Sequence, residues 1–224
     1  MADANRVHMA RLIAIPALIT LAVTILRVVG ELHHWPRPWV NSAAGGGGAL
    51  IGIAWLPIVF GPYFALRLAA AGRGPESARQ AIIFAFLGFL AWILTGKLFQ
   101  HTLHHPSVMT LVALFLMLLA GFIPLIGWRS LGQALLNYGL AARIPVLVVM
   151  RFAMMGNGGA GWGTHYDAVA PQLAALPLPT RYLYAAVLPQ LTAWIGWTVV
   201  LGAIFGTVVA AIVYRGKRTA SAGS

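Results

Sequence analysis

Leu135-Leu-Asn-Tyr-Gly-Leu-Ala-Ala-Arg-Ile-Pro-Val-Leu-Val-Val-Met-Arg-Phe-Ala-Met-Met155 decides the fold of this chain. The run is long and apolar enough to cross a bilayer, which takes about 20 residues as a helix. It also carries Arg143 and Arg151, and an arginine at mid-membrane costs about 2.5–3.5 kcal/mol on insertion scales. If the segment crosses from Leu135 to Met155, Arg151 lies four residues from its end and Arg143 two residues off its centre, and both are expected to sit away from mid-membrane. Charge placement outside the run argues that it does cross. Arg6, Arg11, Arg73, Arg79 and Arg129 fall on one side if the preceding apolar runs alternate, and the terminal Arg215, Lys217 and Arg218 belong on that same side. Cytoplasmic connections carry the excess of Lys and Arg, so one crossing is needed between Arg129 and Tyr182. The expected fold is all-α: a polytopic integral membrane protein with six transmembrane helices. The alternative is five, with Ser130–Met155 as a re-entrant or in-plane helix.

The other spans follow from apolar runs. They cover 12–29, 49–71, 80–99, 106–127 and 182–214, with Pro57 and Pro62 expected to kink the second. No long internal repeat appears, and residues 1–224 read as one transmembrane domain. Apolar residues make up 60% of the chain and charged ones 8%, and a soluble fold of this size could not cover so much apolar surface. The net charge of +11 comes without a dense basic stretch interleaved with aromatics, so nucleic acid is excluded as a partner. Basic span ends serve orientation and attraction to anionic headgroups. The expected location is a bacterial inner membrane with both termini cytoplasmic. The expected partners are membrane lipids, with a second copy or another membrane subunit as further options. Without cysteine there is no disulfide, thiolate metal site or cysteine nucleophile.

Six crossings place six of the seven histidines on the external face: His33, His34, His101, His104, His105 and His165. His101, His104 and His105 share one helical face by their i, i+3 and i+4 spacing. Imidazoles so spaced suit Zn, Fe or Cu, and His33, His34 and His165 complete the expected ligand set, with Asp167 beside it. The His101-x-x-His104-His105 pattern is similar to one histidine box of the membrane fatty-acid hydroxylases and desaturases. Those families use several boxes on the cytoplasmic face; here there is one, on the opposite face. Haem b clamped between two histidines, with Arg27 or Lys97 near its propionates, is a second cofactor option.

Two further features carry chemistry. The loop Asn157-Gly-Gly-Ala-Gly-Trp-Gly-Thr-His-Tyr-Asp167 has a glycine-rich backbone that can close over a ligand. His165 and Asp167 within it are the candidate catalytic acid/base pair. Arg143 and Arg151, eight residues apart, lie within about 80° on a helix. With no acid near them in sequence, they are candidates for an anion or lipid headgroup. Arg27 and Glu31 can pair across one helical turn, and Gly202-x-x-x-Gly206 permits close helix contact. The sequence therefore supports a membrane metalloprotein with an external histidine cluster that acts on a lipid or lipid-soluble substrate. The alternatives are a transporter, channel or lipid/anion-binding protein using Arg143 and Arg151, or a non-catalytic membrane subunit.

Overall fold

The computed structural model describes residues 8–102 and 108–222, with side chains as far as Tyr214 in the last helix. Every regular element among them is helical. Long helices α1 (Met9–Leu32), α2 (Leu56–Ala70), α3 (Ala78–Thr102), α4 (Val108–Gly127) and α5 (Arg129–Met155) are followed by short α6 (Pro171–Ala174), α7 (Leu178–Tyr182) and α8 (Leu188–Leu191), then by α9 (Ala193–Ala222). Five stretches are long and apolar enough to cross a membrane: α1, α3, α4, α5 and the composite run Leu178–Tyr214. The sixth expected span, α2, has only 15 residues, about 22 Å at 1.5 Å per residue. That falls short of a hydrocarbon core of about 30 Å, so length alone supports five spans and not six.

The shortfall has a local cause. The expected span over 49–71 does not begin as a helix, because residues 49–55 are irregular. Pro57 sits in the first turn of α2, where its missing N–H is an orphan in any case, so it starts the helix rather than kinking it. The irregular backbone ahead of it is held by indoles: Trp55 Nε1 donates to Leu50 O at 3.0 Å and Trp197 Nε1 to Ala54 O at 2.7 Å.

Helix α5 also differs from expectation. Trp128 alone separates it from α4 (φ −152°, ψ 86°), so the helix begins at Arg129 and not at Leu135. Arg143 falls one residue from the centre of this 27-residue helix, so it is not displaced from mid-helix. The faces of α5 separate cleanly. Ile144, Val148 and Phe152, four residues apart, are 55%, 51% and 59% exposed, an outward apolar stripe suited to lipid. Arg143, Val146 and Met150 are buried on the inner face.

The core lies where α2, α5 and α9 meet. Tyr138 packs edge-on against Phe60 at 5.4 Å and beside Phe64 at 5.5 Å between ring centroids, and its hydroxyl bonds Thr20 Oγ1 of α1 at 2.8 Å. A Cβ on Gly61 would run into the Gly202 backbone, and one on Gly206 into the Gly61 backbone. The small-residue pair of α9 thus brings α2 into backbone contact. At one end of the bundle, the Arg73 carbonyl accepts from Trp128 Nε1 and Ser130 Oγ, each at 2.8 Å, which joins the α2–α3 link to the α4–α5 link. The candidate site lies at the other end.

Candidate functional site

Three segments distant in sequence converge on the C-terminal end of α1. Arg27 and Glu31 are one turn apart and buried (8% and 1% exposed). Arg27 Nε donates to Glu31 Oε1 at 2.8 Å, and Nη2 donates to the carbonyls of Asn41 (3.1 Å) and Gly46 (2.7 Å). The sequence pairing of Arg27 with Glu31 is therefore present, and the arginine also fastens the glycine run to α1. Gly46 adopts φ +58°, and a Cβ there would strike the Arg27 guanidinium and the His165 ring. Only glycine meets both demands.

The loop after α5 closes on the same carboxylate. His165 donates its backbone N–H to Glu31 Oε2 at 2.7 Å, and Nδ1 lies 2.7 and 2.8 Å from the two carboxylate oxygens. That geometry requires a proton on Nδ1. Burial pulls the His165 pKa below its ordinary 6.5, opposed by the Glu31 hydrogen bond and assisted by the nearby Arg27 charge. The ring is thus neutral at pH 7, with Nε2 as an acceptor. The neighbouring Tyr166 phenol is raised by burial and stays protonated. Asp167 serves the loop itself: its carboxylate accepts from Gly163 N (3.0 Å), Thr164 N (2.9 Å) and Thr164 Oγ1 (2.5 Å).

Behind this junction lies a cavity of about 170 Å³. Gly45–Gly48 line its mouth, Arg27, His165 and Tyr166 one wall, and Arg143, Gln190 and Trp194 another; Ile53, Val146 and Met150 add apolar surface. Arg143 is 4% exposed. Its Nη1 donates to Gln190 Oε1 at 3.2 Å, and its Cζ lies 4.8 Å from the centroid of the Trp194 ring. Its Nε is buried with no hydrogen-bond partner. Among the described residues, no acid lines the cavity opposite it.

Two breaks in helical structure build this wall. One is the irregular 49–55 segment before α2, whose Gly52, Ile53, Ala54 and Trp55 line the cavity. The other is a π-helical turn, Leu183–Val187, followed by α8 and a break at Thr192 (φ −119°, ψ −80°). Trp92 Nε1 caps that break by donating to Ala193 O at 3.0 Å. Irregular backbone at membrane depth persists where it is buried in protein or lines a cavity, and π-turns concentrate at functional sites.

The sequence candidates divide sharply. His165 and Arg143 line one cavity. Arg151 does not: its guanidinium lies 5.7 Å from the Tyr182 ring centroid, outside the lining residues. Asp167 is not a partner of His165; Glu31 takes that place. His33 and His34 are exposed after α1, and His101 is exposed at the end of α3. His104 and His105 lie outside the described residues. Among the described residues no three His, Asp or Glu side chains converge as a metal-binding group. Sequence reading missed Gln190 and Trp194. The one available signal was Pro189-Gln190, a helix-breaking residue followed by an amide inside an apolar run.

No protein-family model matches this chain, nor does any curated protein or solved structure. The functional reading therefore stands on the geometry of the site.

Proposed function

We propose that this chain is a six-crossing membrane protein, with both termini on the cytoplasmic face, that admits an anionic ligand to the cavity behind the Glu31–His165 junction. The observation that carries this reading is Arg143, a buried guanidinium with an unpartnered Nε and no facing acid. Taking a charge out of water costs several kcal/mol unless it is paired, and the described side chains offer only the neutral Gln190. An arginine held in that state at the middle of a helix is suited to binding a charge that comes and goes. The two broken helices beside it favour a carrier over a passive subunit, since carriers commonly bind their substrates between discontinuous helices. The sixth crossing is supplied by α2 together with the irregular 49–55 segment. The outward stripe of Ile144, Val148 and Phe152 supports α5 as a true crossing.

Thermal unfolding of the purified full-length protein tests the reading, with chloride, sulfate, phosphate and acetate compared at constant ionic strength. At least one anion is expected to raise Tm saturably in the wild type and in Arg151→Gln, but not in Arg143→Gln. Insensitivity to every anion, or an equal response from Arg143→Gln, overturns it.

A further inference from the structure

The chemistry around Arg143 narrows the class of anion. One face of its guanidinium is covered by Trp194 and Nη1 is engaged by Gln190, which leaves the Nε–Nη2 edge as the place for in-plane hydrogen bonds to a ligand. The donors left on that edge are Nε, which has no partner, and Nη2, which makes no hydrogen bond to a described residue. Two parallel N–H donors on one edge match the two oxygens of a carboxylate. Gln190 adds Nε2, now resting on the weak acceptor Met150 Sδ at 3.7 Å and free to turn to an oxygen.

Charge sets the valence. Arg27 is neutralised by Glu31, His165 is neutral, and Asp167 is turned into its own loop. One positive charge is left over, which calls for a monoanion. Size and lining set the rest. About 170 Å³ exceeds the ~150 Å³ apolar cavity known to hold a benzene ring. Ile53, Val146, Met150 and Trp194 offer apolar contact for such a body, whereas an extended acyl chain does not fit within that volume.

We propose that the cavity binds a compact monocarboxylate, its oxygens on Arg143 and Gln190 and its apolar body against Met150, Val146 and Ile53, entering past the glycine run 45–48. This rests on the anion-binding reading above and adds to it the carboxylate, the single charge and the small apolar body.

The test is thermal unfolding of the full-length protein in lipid nanodiscs with benzoate, its neutral analogue benzamide, dodecanoate and inorganic phosphate. Benzoate is expected to raise Tm saturably, with benzamide inert. Arg143→Lys, which keeps the charge and loses the fork, is expected to weaken benzoate at least ~10-fold. Gln190→Glu supplies an internal carboxylate 3.2 Å from Arg143 in the wild-type geometry; it is expected to raise Tm without ligand and to abolish the benzoate response. An Arg143-dependent response to phosphate without one to benzoate overturns the carboxylate and leaves anion binding standing. Dodecanoate acting at lower concentration than benzoate overturns the compact ligand in favour of a lipid carboxylate. Equal effects of benzoate and benzamide, or a Gln190→Glu protein that still responds to benzoate, overturn the proposal. Silence from all of these anions overturns the carboxylate proposal, and silence from chloride, sulfate and acetate as well overturns both readings.

Discussion

Glu31 and His165, 134 residues apart, are joined twice: the His165 backbone N–H donates to one carboxylate oxygen, and Nδ1 lies within 2.8 Å of both. With Arg27 on the other flank of the same carboxylate, this side chain fixes α1, the glycine run and the loop after α5 in one arrangement. Breaking a buried ion pair by removing one partner costs about 3–5 kcal/mol. Glu31→Gln is therefore expected to lower unfolding stability by about that much, with faster proteolysis of the 156–170 loop. Glu76→Gln, at an exposed position of the α2–α3 link, is the control and should change little.

His165 gives a pH signature of definite sign. Its folded pKa is depressed below 6.5, so the folded protein binds a proton less readily than the unfolded chain does there. Stability from this group is complete above about pH 6.5 and is lost as pH falls through the folded value. His165→Asn, which keeps an N–H donor near the Nδ1 position, should flatten the Tm profile between pH 6.5 and pH 5.5. A profile no flatter than wild type contradicts the assignment of a neutral imidazole.

Gly46 and Gly47 are adjacent and should behave oppositely. Alanine at 46 would occupy positive φ and collide with Arg27 and His165, whereas a Cβ at 47 meets nothing within 4 Å. Positive φ at a non-glycine residue costs about 1–3 kcal/mol, and the collision adds to it. Gly46→Ala should thus be clearly destabilising and should weaken anion binding, while Gly47→Ala stays close to wild type in both measurements.

Topology is directly accessible because the chain has no native cysteine. Single cysteines replacing exposed Ser42 and Ala160 should label from one side of intact membrane vesicles, and one replacing Glu76 from the other. Labelling of all three from the same side would remove the crossing assigned to α2.

The helical class and the apolar length of α1 were readable because hydropathy and length govern insertion residue by residue. The Arg27–Glu31 pair was readable for a similar reason, since i,i+4 geometry is local. The start of α2 was not: residues 49–66 carry no charge, and hydropathy does not distinguish a helix from irregular backbone held by Trp55 and Trp197. The start of α5 was not readable either, because Ser130-Leu-Gly-Gln is a stretch too mixed in polarity to announce itself as helix.

By itself, then, the sequence determined that this chain is a bundle of apolar helices and that His165 and Arg143 are among its unusual residues. Tertiary structure alone decided which residues they meet. His165 faces Glu31 instead of nearby Asp167, and Arg143 meets Gln190 and Trp194 instead of sharing a site with Arg151. The physical reason is that a carboxylate or guanidinium buried among helices finds its partners by packing in space, across separations of 134 and 47 residues. Composition and periodicity record only what each residue does along its own helix.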